Sequence, residues 1–207
     1  MKTIVHEIPY SPASNLDEEI FTASSVFFDI ETTGFSPAHT SLYLIGCAYH
    51  IEQMLYIKQY FAETPEEEKE VLEQFLLLLD GFDTIITFNG IGFDIPYLKA
   101  KCNTYECNEH FADFTYVDIF KSISQIKHIL QLPNYKQKTI EAFLGIGRDD
   151  LYSGGELIEI YHSYTKEPRP DKLEILLLHN YEDVLDMPAL LPVLSYVHLF
   201  YGQYLSC

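Results

Sequence analysis

Runs of apolar and aromatic residues separated by short polar links dominate the first third of the chain. SVFFDI (25–30) predicts a buried strand, and the runs at 41–50 and 53–61, joined near Glu52, predict a β-hairpin. Residues 1 to about 20 contain prolines and show little periodicity, so they predict an irregular N-terminal arm. A single domain over residues 21–207 is expected to follow.

Helical signals come after these strands. Thr64-Pro65-Glu66-Glu67 combines a capping residue, a first-turn proline and acids that complement the helix dipole, so it predicts a helix that runs to Gly81. Three strands followed by strands and helices in alternation predict an α/β fold with a mixed sheet. The other predicted elements are strands at 84–88 and 114–120, helices at FDIPYLKAKC and around 118–130, 137–145 and 155–165, and a final helical region, 171–203, interrupted near Pro188 and Pro192.

Composition narrows the class of protein. The chain has 207 residues, of which 47% are hydrophobic, enough for one substantial core. It contains no run of 18 apolar residues and no signal-peptide layout at its start, so neither a membrane span nor secretion is expected. The four cysteines form no CxxC pair and no zinc-type cluster. We expect a cytoplasmic protein with reduced thiols.

The net charge opposes one class of partner. Thirteen Lys and Arg against 31 Asp and Glu give a formal net charge of −18, and the basic residues are scattered. Nucleic-acid-binding domains are usually basic or carry a basic stripe. Charge alone therefore counts against tight binding of a phosphate polymer.

Three acidic stretches carry the candidate chemistry. In FFDIETTGFSP, Asp29 and Glu31 lie at i and i+2 on one strand face, about 7 Å apart, where they repel each other unless a cation lies between them or one is protonated. In TIITFNGIGFDIPYLKAK, Asp94 opens a helix after a glycine-containing turn, either as a helix cap or as a ligand. Gly90 and Gly92 lack the third glycine of a dinucleotide-binding fingerprint.

The third stretch is LLLHNYEDVLDMPALL, in which His179 and Asp183 lie four residues apart on one helical face. Such pairs are usually solvated, but charge in an apolar helix is costly without a partner or a metal. Ligands of α/β sheets gather at the carboxyl ends of the strands. Converging there, Asp29, Glu31, Asp94 and Asp183 would hold two Mg²⁺ or Mn²⁺ ions about 4 Å apart, an arrangement that supports phosphodiester displacement.

These stretches, in this order, resemble a known family. FFDIETTGFSP is similar to the first motif, D-x-E-T-T/G, of the DEDD superfamily of 3′–5′ exonucleases, TFNGIGFDIPYL is similar to the second, and HNYEDV is similar to the Y-x-x-x-D motif of family B polymerase proofreading domains. The chain most resembles the YprB-type RNase H-like domain, over about residues 24–195. The resemblance implies a mixed five-stranded sheet with an antiparallel second strand, flanked by helices. It also implies Asp29, Glu31, Asp94 and Asp183 as metal ligands.

His179 departs from both family patterns. Tyr-type members carry a tyrosine four residues before the last aspartate, and His-type members carry a histidine five residues before it. This chain has a histidine at the tyrosine spacing, whereas Tyr181 is only two residues before Asp183. His179 either orients and deprotonates the attacking water, since histidine titrates near neutral pH, or has a structural role.

The resemblance implies a metal-dependent 3′–5′ exonuclease acting on nucleic acid, with single-stranded 3′ ends as the expected substrate. Thr32, Gly34 and Asn89 would hold the terminal nucleotide, and Phe35 or Phe93 would stack on a base or belong to the core. Lys136 and Lys138, or Arg148, would line the approach. Two alternatives stay open: a catalytically weak nucleic-acid-binding or regulatory module whose acidic surface docks a partner protein, and a metal phosphohydrolase for small phosphate esters.

Overall fold

The protein is described by a computed structural model, which covers the backbone of residues 1–201 and the side chains of residues 1–197. Within those residues, none of the helices combines the length and hydrophobicity needed to cross a lipid bilayer. The strands are β1 (Lys2–Pro9), β2 (Ser25–Thr32), β3 (Leu42–Ile51), β4 (Met54–Phe61), β5 (Thr84–Thr87) and β6 (Thr115–Asp118). The α-helices are α1 (Asn15–Ile20), α2 (Glu68–Leu79), α3 (Asp94–Tyr105), α4 (Ile119–Gln125), α5 (Lys127–Leu130), α6 (Gln137–Leu144), α7 (Gly154–Lys166), α8 (Pro170–Leu190) and α9 (Pro192–Tyr201).

The strands form one mixed sheet in the order β1-β4-β3-β2-β5-β6. The hairpin of β3 and β4 is confirmed, and β3 pairs antiparallel with β2. β5 and β6 then continue the sheet in parallel with β2. The expected α/β architecture is confirmed, with six strands rather than five.

The additional strand comes from the N-terminal segment, where an irregular arm was expected and where the prediction is wrong. Residues Lys2–Pro9 form β1 and pair antiparallel with β4 along their whole length, and α1 follows. Ser14 caps α1 by accepting a hydrogen bond from the Asp17 amide. Because β1 lies at the sheet edge and most of its side chains are exposed, polar residues interrupt the alternation that marks a half-buried strand.

Alternate side chains of β2 are buried on opposite faces of the sheet. Val26, Phe28 and Ile30 pack against α2 and α3, whereas Phe27 packs on the opposite face with Ile86, Val184 and other residues of α4, α6, α8 and α9. Side chains alternate along a strand, so Asp29 and Glu31 share the face of Phe27. The two acids at the end of β2 therefore lie on the side of the sheet that α8 covers.

Candidate active site

The end of β2 and one face of α8 bring three sequence-predicted residues together. His179 Nε2 lies 3.3 Å from Asp183 Oδ2 and 3.6 Å from Glu31 Oε1. Among the described residues, Glu31, His179 and Asp183 form one group of possible metal-binding side chains whose ligand atoms all lie within 4.8 Å of one another. The i and i+4 spacing on α8 places the histidine and the aspartate on the same face.

Asp94 faces this group from another element. It is the first residue of α3 and is buried, whereas the N-cap position is Phe93, so Asp94 is not the helix cap. Burial raises the pKa of Asp94 to about 7. Hydrogen bonds from its own amide and that of Ile30 oppose this rise, and the charges of Asp118 and Asp183 reinforce it. Asp94 therefore lies within electrostatic reach of the carboxylate on α8.

Burial and the charges of neighbouring acids also act on the two carboxylates of β2. Burial raises the pKa of Asp29 well above its usual value, and the charges of Asp183, Asp94 and Glu31 raise it further, in that order. The pKa of Glu31 is also raised well above its usual value, first by burial and then by Asp183 and Asp94. Asp29 and Asp94 thus lie within electrostatic reach of the group formed by Glu31, His179 and Asp183, where the negative charges of the acids are unfavourable without a cation.

Asp29 is held in place by a chain of amide side chains. Asn180 Nδ2 donates to Asp29 Oδ2 over 3.2 Å, and Gln59 Nε2 donates to Asn180 Oδ1 over 3.0 Å. Asn180 approaches the sheet at Gly46, where a Cβ atom would lie 2.1 Å from Asn180 Oδ1. The absence of a side chain at Gly46 is therefore what allows α8 to reach the Asp29 carboxylate.

Asp150 is a site residue that the sequence analysis missed. Its side chain is 1% exposed, and its Oδ2 lies 2.5 Å from His179 Nδ1. Lys138 Nζ donates to the same oxygen over 2.5 Å, and the Tyr152 amide donates to Oδ1. Burial alone would raise the pKa of Asp150, but the hydrogen bonds from Lys138, the Tyr152 amide and His179 outweigh it and lower the pKa. Asp150 is thus an anion that fixes the far side of the imidazole ring.

Arg148 was expected to line the substrate approach, and that expectation is wrong. Its side chain is 7% exposed and lies 2.6 Å from Asp183 Oδ1 and 3.1 Å from Glu141 Oε2. The carboxylate of Glu182 accepts hydrogen bonds from the backbone amides of Asp149 and Asp150, and these bonds hold this segment against α8. Arg148 therefore supports Asp183 from behind, because most of its donors are already engaged with buried acids.

Comparison with known proteins assigns the fold family. The family model described as the RNase_H superfamily matches residues 26–195. The chain belongs to the RNase_H superfamily. The acids at the end of β2, at the start of α3 and on α8 all lie within the matched region of this superfamily member.

Individual relatives are similar over different extents. The uncharacterized protein YprB of Bacillus subtilis (strain 168) is 29% identical over 177 residues, which cover 84% of this chain but only 41% of YprB. A DNA polymerase of Methanocaldococcus jannaschii is 42% identical over 43 residues, 21% of this chain and 3% of the polymerase. The chain therefore spans less than half the length of either relative.

Two solved structures share the RNase_H superfamily fold. The family B DNA polymerase of Pyrobaculum calidifontis superposes with a TM-score of 0.59 and 18% identity, covering 84% of this chain and 24% of the polymerase. A structure described as the apo form of the nuclease superposes with a TM-score of 0.52 and 17% identity, covering 92% of this chain and 80% of that one. At these identities the likeness concerns the fold.

Thr32 is the last residue of β2, and the other residues predicted to hold a nucleotide lie in the turns or bends that follow β2 and β5: Gly34, Phe35, Asn89 and Phe93. Thr32 Oγ1 donates to the carbonyl of Gly34, whose φ of +153° suits glycine. Phe35 is 90% exposed, so it is not a core residue. Its ring lies 5.9 Å from that of Phe93, which packs partly against the core. Asn89 is exposed and has a positive φ of 66°.

A cavity of about 420 Å³ opens beside His179. Its lining includes Lys136, Lys138 and Tyr152. Lys138 is engaged by Asp150, whereas Lys136 is exposed. Tyr181 contacts His6 of β1 with ring centroids 4.7 Å apart and lines a different groove, so it does not take the place of a tyrosine at this site.

The side chains present fit divalent cations. Carboxylate oxygens are the preferred ligands of Mg²⁺ and Mn²⁺, and Asp29, Glu31 and Asp94 all have raised pKa values that a bound cation would reverse. No lysine or arginine supplies the neutralising charge to Asp29 in the described structure; its hydrogen-bond partner is the neutral Asn180. A divalent ion would provide the missing counter-charge.

Proposed function

We propose that the chain is a metal-dependent nuclease that removes nucleotides from the 3′ ends of single-stranded nucleic acid. The observation that carries this proposal is the group formed by Glu31, His179 and Asp183, with Asp29 and Asp94 within electrostatic reach of it. Membership of the RNase_H superfamily and the nuclease and polymerase folds among its structural neighbours support a hydrolase that acts on nucleic acid.

Asp29, Glu31, Asp94 and Asp183 would hold two Mg²⁺ or Mn²⁺ ions. The chemistry supplied by such ions is activation of the attacking water and stabilisation of the negative charge on the leaving 3′ oxygen. The protein would contribute placement of the acids: Asn180 orients Asp29, and Arg148 orients Asp183. A carboxylate held in this way loses little freedom when the substrate arrives.

The turns beside the acids would position the terminal nucleotide. We infer that exposed Phe35, together with Phe93, offers a stacking platform for a base, which suits unpaired strands because every base has an aromatic face. Thr32, Gly34 and Asn89 would contact the sugar and the phosphate. Lys136 would approach the strand from the cavity beside His179.

The net charge of −18 limits the grip on long nucleic acid. Divalent ions would attract phosphate where the repulsion is greatest, at the acidic cluster, but the scattered lysines add little elsewhere. Binding should therefore be weak, since few phosphates are neutralised by protein side chains. Its salt dependence should be shallow for the same reason, because that dependence scales with the number of phosphates neutralised.

The direct test uses 5′-labelled single-stranded DNA and RNA with Mn²⁺ or Mg²⁺. We expect a ladder of products that shortens stepwise from the 3′ end. Asp29→Ala should lower the rate by about a thousandfold or more, because it removes a ligand whose effect on the transition state is worth roughly 4 kcal/mol. Asp113→Ala is the matched control, since Asp113 is an exposed acid far along the chain from these motifs.

Other outcomes would contradict the proposal. Binding of the labelled strands with no cleavage would indicate a nucleic-acid-binding or regulatory module. Release of phosphate from nucleotides, without shortening of either strand, would indicate a small-molecule phosphohydrolase. Cleavage that survives in Asp29→Ala would place the activity at another site or in a contaminant.

A further inference from the structure

His179 has a geometry that neither of its two expected roles requires. Its Nδ1 is bound to the buried anion Asp150 at 2.5 Å, while Nε2 points between Asp183 and Glu31. The side chain is 10% exposed, so both ring nitrogens are committed to protein surroundings. The structure thus brings a nitrogen donor directly into the carboxylate group.

The distances from Nε2 to the two acids are longer than those of charge-assisted hydrogen bonds. Charge-assisted N–H···O bonds are about 2.7–2.9 Å long, whereas Nε2 lies 3.3 Å from Asp183 and 3.6 Å from Glu31. Two neighbouring ligands about 2.1–2.2 Å from one ion lie roughly 3.0–3.6 Å apart in octahedral or tetrahedral geometry. Nε2 therefore lies at ligand-like distances from both carboxylates, and the ligand atoms of all three residues lie within 4.8 Å of one another.

The second partner of the ring points to the same role. A metal-ligating histidine usually donates its other N–H to a carboxylate, which fixes the tautomer and orients the ring. Asp150 occupies that position, since its carboxylate is the hydrogen-bond partner of Nδ1. An imidazole that donates from Nδ1 has the lone pair of Nε2 available to an ion. Lys138 and the Tyr152 amide hold Asp150 in turn.

The spacing along α8 completes the geometry. His179 and Asp183 are one helical turn apart on the same face, the arrangement by which a helix offers two ligands to one ion. Glu31 adds a third ligand from β2 across the interface between sheet and helix.

We propose that His179 is a metal ligand, which completes with Glu31 and Asp183 an ion site of mixed nitrogen and oxygen donors. This inference rests on the proposed function and refines it. An imidazole ligand favours first-row transition ions over Mg²⁺, which prefers oxygen, so the site selects Mn²⁺ over Mg²⁺. The histidine spacing that departs from both family patterns is then a change in the ligand set.

The test is pulsed electron paramagnetic resonance of Mn²⁺ added to the wild-type protein, with no substrate. We expect electron spin-echo modulation from a directly bound ¹⁴N. His179→Gln should remove this modulation and weaken Mn²⁺ binding, measured by titration calorimetry, by about tenfold or more, while Mg²⁺ affinity changes by less than about threefold. His128→Gln, at an exposed position on α5, should retain the modulation and both affinities.

The wild-type spectrum tests the inference even if His179→Gln fails to fold. Bound Mn²⁺ without ¹⁴N modulation, in a protein that still shortens labelled strands, would overturn the ligand role and leave the nuclease proposal standing. Loss of cleavage in His179→Gln with unchanged Mn²⁺ affinity would also overturn it, and would favour a proton-accepting histidine. Absence of both Mn²⁺ binding and cleavage would overturn the two proposals together.

Discussion

Asp150 is a buried side chain that orients a residue of the candidate site. Its Oδ2 accepts hydrogen bonds from His179 and Lys138, and its backbone amide donates to the carboxylate of Glu182. Asp150 is thus held by three hydrogen bonds, and its carboxylate orients the imidazole of His179. Removing its charge while keeping its shape should loosen the ring and leave the fold largely intact.

We predict that Asp150→Asn lowers the affinity for Mn²⁺ and the cleavage rate by about 10- to 100-fold, the usual effect of losing a partner of a ligating histidine. Calorimetric titration and the labelled-strand assay measure the two effects. Asp149→Asn is the control, because Asp149 is exposed and contributes only its amide to Glu182. Equal behaviour of the two variants would show that the Asp150 carboxylate does not position His179.

The residues around Asp150 mark a limit of sequence reasoning. Asp29, Glu31, Asp94, His179 and Asp183 could be singled out because they stand at the end of a strand, at the start of a helix or on an apolar helix face. Arg148 and Asp150 lie in the irregular segment between α6 and α7, where no periodicity predicts burial. Asp150 carried no signal of its own in the sequence, and Arg148 was noted only as a basic residue that would line the approach.

The packing of α8 on the sheet depends on a glycine in β3, which has no side chain. Asn180 lies against Gly46 of β3, and the Asn180–Asp29 bond crosses from helix to strand at this point. Glycine weakens a strand interior, so its presence in β3 indicates close approach by another element. The contact between α8 and β3 is therefore inseparable from the orientation of Asp29.

We predict that Gly46→Ala destabilises the protein by about 1–3 kcal/mol, because the new methyl group would overlap Asn180 and force α8 away from the sheet. Urea unfolding measures the change. Gly147→Ala provides the comparison, since a Cβ atom there has nothing within 4 Å. Equal midpoints for the two variants would mean that α8 accommodates the methyl group without strain.

Among the helices and strands, the sequence predicted those that carry a clear run of apolar residues. The β3–β4 hairpin, β5 and the C-terminal helical region up to residue 201 were expected, whereas residues 202–203 of that prediction lie outside the described residues. The break predicted near Pro192 separates α8 from α9, but Pro188 lies inside α8, so the break predicted there is wrong. β1 was missed because an edge strand has one exposed face and an unpaired edge, so charged residues are tolerated in it. Its position was set by pairing with β4, which is a long-range property.

Across the chain as a whole, the buried acids link stability to pH and to metal. Burial and mutual repulsion raise the pKa values of Asp29 and Glu31, and burial raises that of Asp94 to about 7. In the unfolded chain these groups titrate near about 4. Because the folded state holds its protons more tightly, the stability that these groups contribute is fully present below about pH 4. It is lost as pH rises through the folded pKa values.

We therefore predict that the metal-free protein loses thermal stability between about pH 5 and pH 8, and that saturating Mn²⁺ restores it by several degrees at the upper end. A ligand at about 100 times its dissociation constant adds roughly 2.7 kcal/mol, which corresponds to about 5–10 °C for a domain of this size. Circular dichroism is the suitable probe, because the chain contains no tryptophan.

Asp94→Asn provides the decisive comparison for this linkage. Without its titrating group, the metal-free variant should lose less stability over the same pH range than the wild type, and it should gain less from Mn²⁺. A wild-type melting temperature that is flat from pH 5 to pH 8 in the absence of metal would contradict the linkage. The acids whose pKa values are raised would, in the proposed nuclease, make the protein responsive to divalent ions, since near neutral pH a bound cation relieves the repulsion that protonation relieves at low pH.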